Sequence, residues 1–204
     1  MQTQLNPSPK EGTSMKKLFG LAITMIVALS LVGSVAKARA ASQVTELDVH
    51  VGDAFLQSFF GGTVDNVSQA SNGDTIKVIF TGHIDVEDRE ADGKGSFELR
   101  DSSGKLLGSG TFRAKRFISF TDFGTTPGFP PTFHGGTALI LVRAIRHPVR
   151  NSGEETTKFD ATLRVDCALG NSDGTIEGMT FAISGGPNFD TKVDGATVFV
   201  ATED

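Results

Sequence analysis

From residue 43 to residue 202 apolar and polar side chains alternate with a period of two, and no stretch sustains a helical period. Such alternation sets one face of a segment against a core and the other in water, as antiparallel strands require. The clearest case is 74–87, where Ile76, Val78, Phe80, Ile84 and Val86 share one side and Lys77, Thr81, His83, Asp85 and Glu87 the other. Strands are expected near 43–51, 74–87, 95–101, 105–123, 137–147, 156–169, 175–184 and 195–202. About eight strands in this span predict an all-β fold, a single antiparallel β-barrel or β-sandwich over residues 41–204.

Two irregularities refine that picture. In 105–123, Phe112, Ala114, Ile118 and Phe120 oppose Arg113, Lys115, Ser119 and Thr121, but Arg116 and Phe117 break the phase. A β-bulge or a bend there accounts for the break. The short run Ala54–Phe60 offers one helical turn, too little to change the class. Gly-containing turns at Asp92-Gly93, Asp101–Gly104 and Asn171–Gly174 suit hairpins. The longest connection runs from Thr121 to Gly136 and holds Pro127, Pro130 and Pro131 with Phe123, Phe129 and Phe133. A connection of that length is either a binding loop or a packed crossover closing one end of the fold.

Residues 1–40 do not share the alternation. Lys16-Lys17 precede the uncharged run Leu18–Ala36, and Ala38, Ala40 and Ala41 supply a small-x-small cleavage site. Together these make an export signal, with Met15 as an alternative start, and they predict a secreted or periplasmic protein. Uncleaved, residues 18–36 approach the length of a membrane anchor, and the chain is then membrane-bound. Ser34 stands where a lipobox would need Cys, so lipidation by that route is excluded.

Removing this segment changes the charge. It holds five of the 19 basic and one of the 24 acidic residues, which leaves 14 against 23 and a net charge of −9. An acidic domain repels phosphate backbones, so nucleic acid is not an expected partner. Cys167 is the only thiol, and no intramolecular disulfide can form. It lies on the apolar side of Phe159–Leu169 and reads as a core residue. There are 16 Phe but no Tyr and no Trp, so catalytic phenols are excluded. Those in strand runs, such as Phe80, Phe97, Phe112, Phe120, Phe159 and Phe181, are expected in the core.

Motifs for chemistry are sparse. Asp88, Glu90 and Asp92 fall at positions 1, 3 and 5 of a calcium-loop pattern with Gly93 at 6, but Leu99 stands where a bidentate Glu is required. The four His are too scattered for a recognisable metal site, and no nucleophile motif or phosphate cradle occurs. No cofactor is implied. Candidate ligand residues are Phe129, Phe133 and His134 in the long connection, and His83, Arg164 and Asp166 on the polar strand faces. The latter either line a polar lumen or face water in cross-strand ion pairs.

In strand count and export signal the chain resembles small secreted antiparallel barrels of the allene oxide cyclase and dirigent type. The resemblance implies a closed barrel and transfers no residue. Three functional expectations follow: a non-enzymatic binding module for a small molecule or cell-surface partner, a cyclase or isomerase with an apolar cavity, and a structural envelope component.

Overall fold

The structure, a computed structural model, describes residues 44–150 and 152–202. The export segment, with Met15, residues 18–36, Ala38, Ala40 and Ala41, lies outside the described residues. No helix among the described residues is long and apolar enough to cross a membrane.

The chain folds as ten antiparallel strands and one short helix: β1 (Glu46–Val51), α1 (Ala54–Phe60), β2 (Val67–Ala70), β3 (Thr75–Asp85), β4 (Glu90–Arg100), β5 (Leu106–Gly124), β6 (Phe133–Pro148), β7 (Thr157–Cys167), β8 (Gly178–Ile183), β9 (Asn188–Asp194) and β10 (Thr197–Ala201). They form one sheet in the order β1-β10-β6-β5-β4-β3-β2-β9-β8-β7, and the additional pairings β1–β3 and β6–β7 close it into a ring. Every strand therefore has a neighbour on both sides.

Strands β3 and β6 each carry two partners along one edge. On β3, Thr75–Lys77 pair with β2 and Phe80–Asp85 with β1. On β6, Phe133 and His134 pair with β10, and Gly136–Arg146 with β7. The wall opposite β3-β4-β5-β6 is thus divided into a long part, β2-β9-β8-β7, and a short part, β1-β10. Gly135 stands at the division on β6. A Cβ there would lie 1.8 Å from the Leu169 carbonyl oxygen, so only glycine permits the approach.

The apolar face of each strand points into the ring, where Val49, Val78, Phe80, Phe112, Ile140, Leu163 and Phe181 are among the residues with no more than 2% exposure. The interior is a solid core rather than a polar lumen. Phe80 stacks on Phe112 at 5.6 Å, Phe112 meets Phe181 edge-on at 5.6 Å, and Phe97 contacts both Phe181 and Phe159. Aromatic pairs at such spacings add stability beyond the area they bury.

Several expectations are corrected in detail. β2 and β9 are additional strands; both are short, and β9 is mostly polar, so neither has a usable alternation. The register of β5 shifts between Ala114 and Arg116 and again between Phe117 and Ser119, which confirms the irregularity and brings Phe117 into the core instead of Ile118. β5 runs on to Gly124 and β6 starts at Phe133, so the long connection shrinks to 125–132. Glu90 and Asp92 lie within β4, and only Asp88 occupies the preceding turn. Extended backbone sends those two side chains to one face rather than wrapping them around an ion.

Candidate functional site

The division of the wall leaves a pocket of about 440 Å³ at one end of the ring. That volume lies within the range of small-molecule sites. Its apolar lining comes from Leu56 and Phe60 of α1, Phe129 of the β5–β6 connection, Phe133 at the start of β6, Leu169 after β7, and Val198 of β10. Leu56, Phe133 and Val198 are buried and form a second hydrophobic cluster, separate from the main core.

The roof of the pocket is α1, and local chemistry holds it in place. Asp53 is its N-cap: Oδ1 accepts from the Leu56 N–H at 3.2 Å, and Oδ2 lies 2.7 Å from Thr81 Oγ1 and 2.6 Å from His50 Nδ1. The other end stops at Gly61, whose φ of 73° is the left-handed conformation glycine favours at a helix terminus. Its N–H donates to the Gln57 carbonyl. Phe55 stacks on His50 at 4.2 Å, and Phe59 packs against Phe133 at 5.0 Å, so α1 is bound to both β1 and β6. Phe55, Phe59, Phe60 and Phe129 remain exposed around the mouth.

Burial opposes ionisation of Asp53, but the bonds from His50, Thr81 and Leu56 outweigh it and hold the carboxyl below its ordinary range. A depressed carboxylate stabilises the fold above its unfolded value, and that contribution is lost as pH falls through the lower folded value. Asp53→Ala is therefore expected to cost about 1 to 2 kcal/mol at neutral pH. The gap from the parent should narrow on acidification, as read by urea unfolding. A gap that stays constant into acid would contradict this role.

The floor is polar. Glu177, half-buried just before β8, accepts from the Ala168 N–H at 2.6 Å and the Thr197 N–H at 2.7 Å. Its Oε1 is also 2.6 Å from Thr197 Oγ1. Burial pushes the carboxyl above its ordinary range against the lowering effect of the Thr197 and Ala168 bonds. Cys167 also lines the pocket; burial, reinforced by Glu177, pushes its thiol up to about 12. At that value the thiol is protonated at neutral pH.

The sequence candidates separate. Phe129 and Phe133 line the pocket. His134, the next residue, faces Asp122, with Nδ1 at 3.0 Å from its Oδ1. His83 lies outside the ring beside Asp48, at 3.1 Å. Arg164 and Asp166 belong to an outward ion-pair group on β7, where Asp166 Oδ2 lies 2.8 Å from Arg164 Nε and 2.6 Å from Lys192 Nζ. Asp166 is nevertheless fully buried, because Lys192 and Thr137 cover it. Among the described residues no group of three or more His, Cys, Asp or Glu is placed to hold a metal ion.

Sequence reasoning did not place Leu56, Phe60 or Glu177 in a pocket. Leu56 and Phe60 are four apart on α1, a helical spacing hidden in a seven-residue element. Glu177 between Ile176 and Gly178 resembles a turn residue, and nothing local shows that two distant backbone N–H groups meet it. Fold and site together define an antiparallel β-barrel with an apolar pocket at one end. No family model, no curated protein and no solved structure matches the chain.

Proposed function

We propose that this chain is an exported binding module that holds one small, largely apolar molecule in the pocket beneath α1. The observation that carries the reading is the pocket itself, an apolar space that the core leaves unfilled and that Phe60, Phe129 and Phe133 border. Burying apolar ligand surface supplies about 25 cal/mol per Å². The export reading rests on Lys16-Lys17, the uncharged run 18–36 and the Ala38, Ala40 and Ala41 site.

The test uses prodan, a neutral naphthalene fluorophore, against a protein without Trp or Tyr. A saturable, one-to-one blue shift is expected. Ala196→Phe, which adds a ring at a lining position, should weaken it about tenfold or more with folding intact. Equal affinity in the folded variant would move binding elsewhere.

A cyclase or isomerase is the second reading, favoured by Glu177, a pocket carboxyl that burial raises above its ordinary range, as a general acid requires. Turnover of a bound ligand, lost in Glu177→Gln, separates the two. The envelope-component reading gains no support from a ring in which every strand is paired on both sides.

A further inference from the structure

The polar lining of the pocket has one sign. Asp65, Glu177 and Asp194 contribute to it, and no Lys, Arg or His does. Asp65 is compensated by Lys77 at 2.5 Å, and Asp194 accepts from the Gly195 N–H at 2.9 Å. Glu177 is the carboxyl of the pocket floor. Lys192 favours its ionised form, but the Lys192 ammonium is bonded to Asp166 and the Ile176 carbonyl. The Cys167 thiol beside it is neutral.

The contacts of Glu177 are those of a carboxylate. Oε1 accepts from the Thr197 N–H at 2.7 Å and from Thr197 Oγ1 at 2.6 Å, and Oε2 accepts from the Ala168 N–H at 2.6 Å. Burial opposes that charge and raises the carboxyl above its ordinary range, so a cation in the pocket is the partner it lacks.

We propose that the pocket selects an apolar organic cation, a protonated amine on an aromatic or aliphatic body, with its nitrogen paired to Glu177. This rests on the pocket being the ligand site. The body lies beside Leu56 and among Phe60, Phe129 and Phe133, aromatic rings of the kind whose faces attract a cation. The Glu177 carboxylate is the counter-ion to the ammonium. The Ala168 and Thr197 N–H bonds remain, and Oε2 keeps a lone pair for the ligand. An anionic amphiphile such as a fatty acid meets three carboxyl groups and no cation, and is rejected.

The test compares 1-naphthylmethylamine with its neutral counterpart 1-naphthalenemethanol by calorimetric titration of the full chain. The amine should bind about tenfold tighter at neutral pH, as a charge-assisted bond predicts. Its affinity should rise as pH goes from acidic to neutral, because Glu177 ionises over that range while the amine stays protonated. The alcohol should show no such rise. In Glu177→Gln the preference for the amine should vanish while the alcohol still binds; if that variant does not fold, the pH dependence of the parent decides. An alcohol that binds as tightly as the amine, or an amine whose affinity ignores pH, overturns the proposal and leaves the pocket reading standing. Binding of neither overturns both.

Discussion

Asp166→Ala is expected to destabilise the protein by about 3 to 5 kcal/mol, the cost of removing one partner from a buried ion pair. Asp166 is fully buried and lies within 2.5 to 2.8 Å of Thr137 Oγ1, Lys192 Nζ and Arg164 Nε. Burial disfavours its charge, yet the bonds from Arg164, Lys192 and Thr137 prevail and hold its carboxyl below the ordinary range. After truncation the two cations fare differently. Arg164 is half exposed and recovers water, while Lys192, with 12% of its side chain exposed, keeps only the Ile176 carbonyl. Because one cation escapes, the lower end of the range is expected. The contribution is present above the unfolded carboxyl range and disappears as pH falls through the folded one. Urea unfolding at neutral pH and in acid reads both; a neutral-pH loss below about 1 kcal/mol, the scale of a surface pair, would show that the group is hydrated.

Phe181→Ala is the second large effect, at about 3 to 5 kcal/mol, the usual cost of truncating a buried Phe. Phe181 is fully buried and connects Phe112 at 5.6 Å with Phe97 at 6.2 Å, so its loss opens a cavity and breaks two aromatic contacts. Phe181→Tyr tests the all-Phe composition. It keeps the ring but buries a hydroxyl among Phe, Leu and Val side chains, at a cost of about 1 to 3 kcal/mol when the group finds no partner. Both are measured by denaturant unfolding. A Tyr variant as stable as the parent would reveal a polar contact or a route to water that the structure does not contain.

The all-β class and the inward faces were legible because the alternation is strict where a strand is long and half-buried. Ile76, Val78, Phe80 and Ile84 are all fully buried, as their spacing requires. The failures have physical causes. β2 has four residues, too few for a period to emerge, and β9 is held by its neighbours rather than by an apolar stripe. In β5 the bulge was evident from Arg116-Phe117, but which of Phe117 and Ile118 points inward depends on where the extra residue falls. Asp166 sits at a polar position of a clean alternation and is buried all the same, because Lys192 of β9 covers that face.

The site was legible only in part. Phe129 and Phe133 were identified through the Pro-rich connection, and they do form one wall of the pocket. The pocket itself arises from topology: β6 passes from β10 to β7 at Gly135, and β3 passes from β2 to β1 between Lys77 and Phe80. No local pattern encodes a change of partner along one edge. Glu177 acquires its character from Ala168 and Thr197, nine and twenty residues away in the chain. Its significance lies in contacts that only the closed ring creates.

The central claim, that the space beneath α1 is a ligand site, is tested most directly by a crystal structure of the protein grown with 1-bromonaphthalene, whose bromine gives an anomalous signal. The account predicts one strong peak inside the pocket, among Leu56, Phe133 and Leu169. Peaks confined to the exposed Phe55 and Phe59 at the mouth, or a pocket filled by Phe60 and Phe129 with no bromine inside, would contradict it.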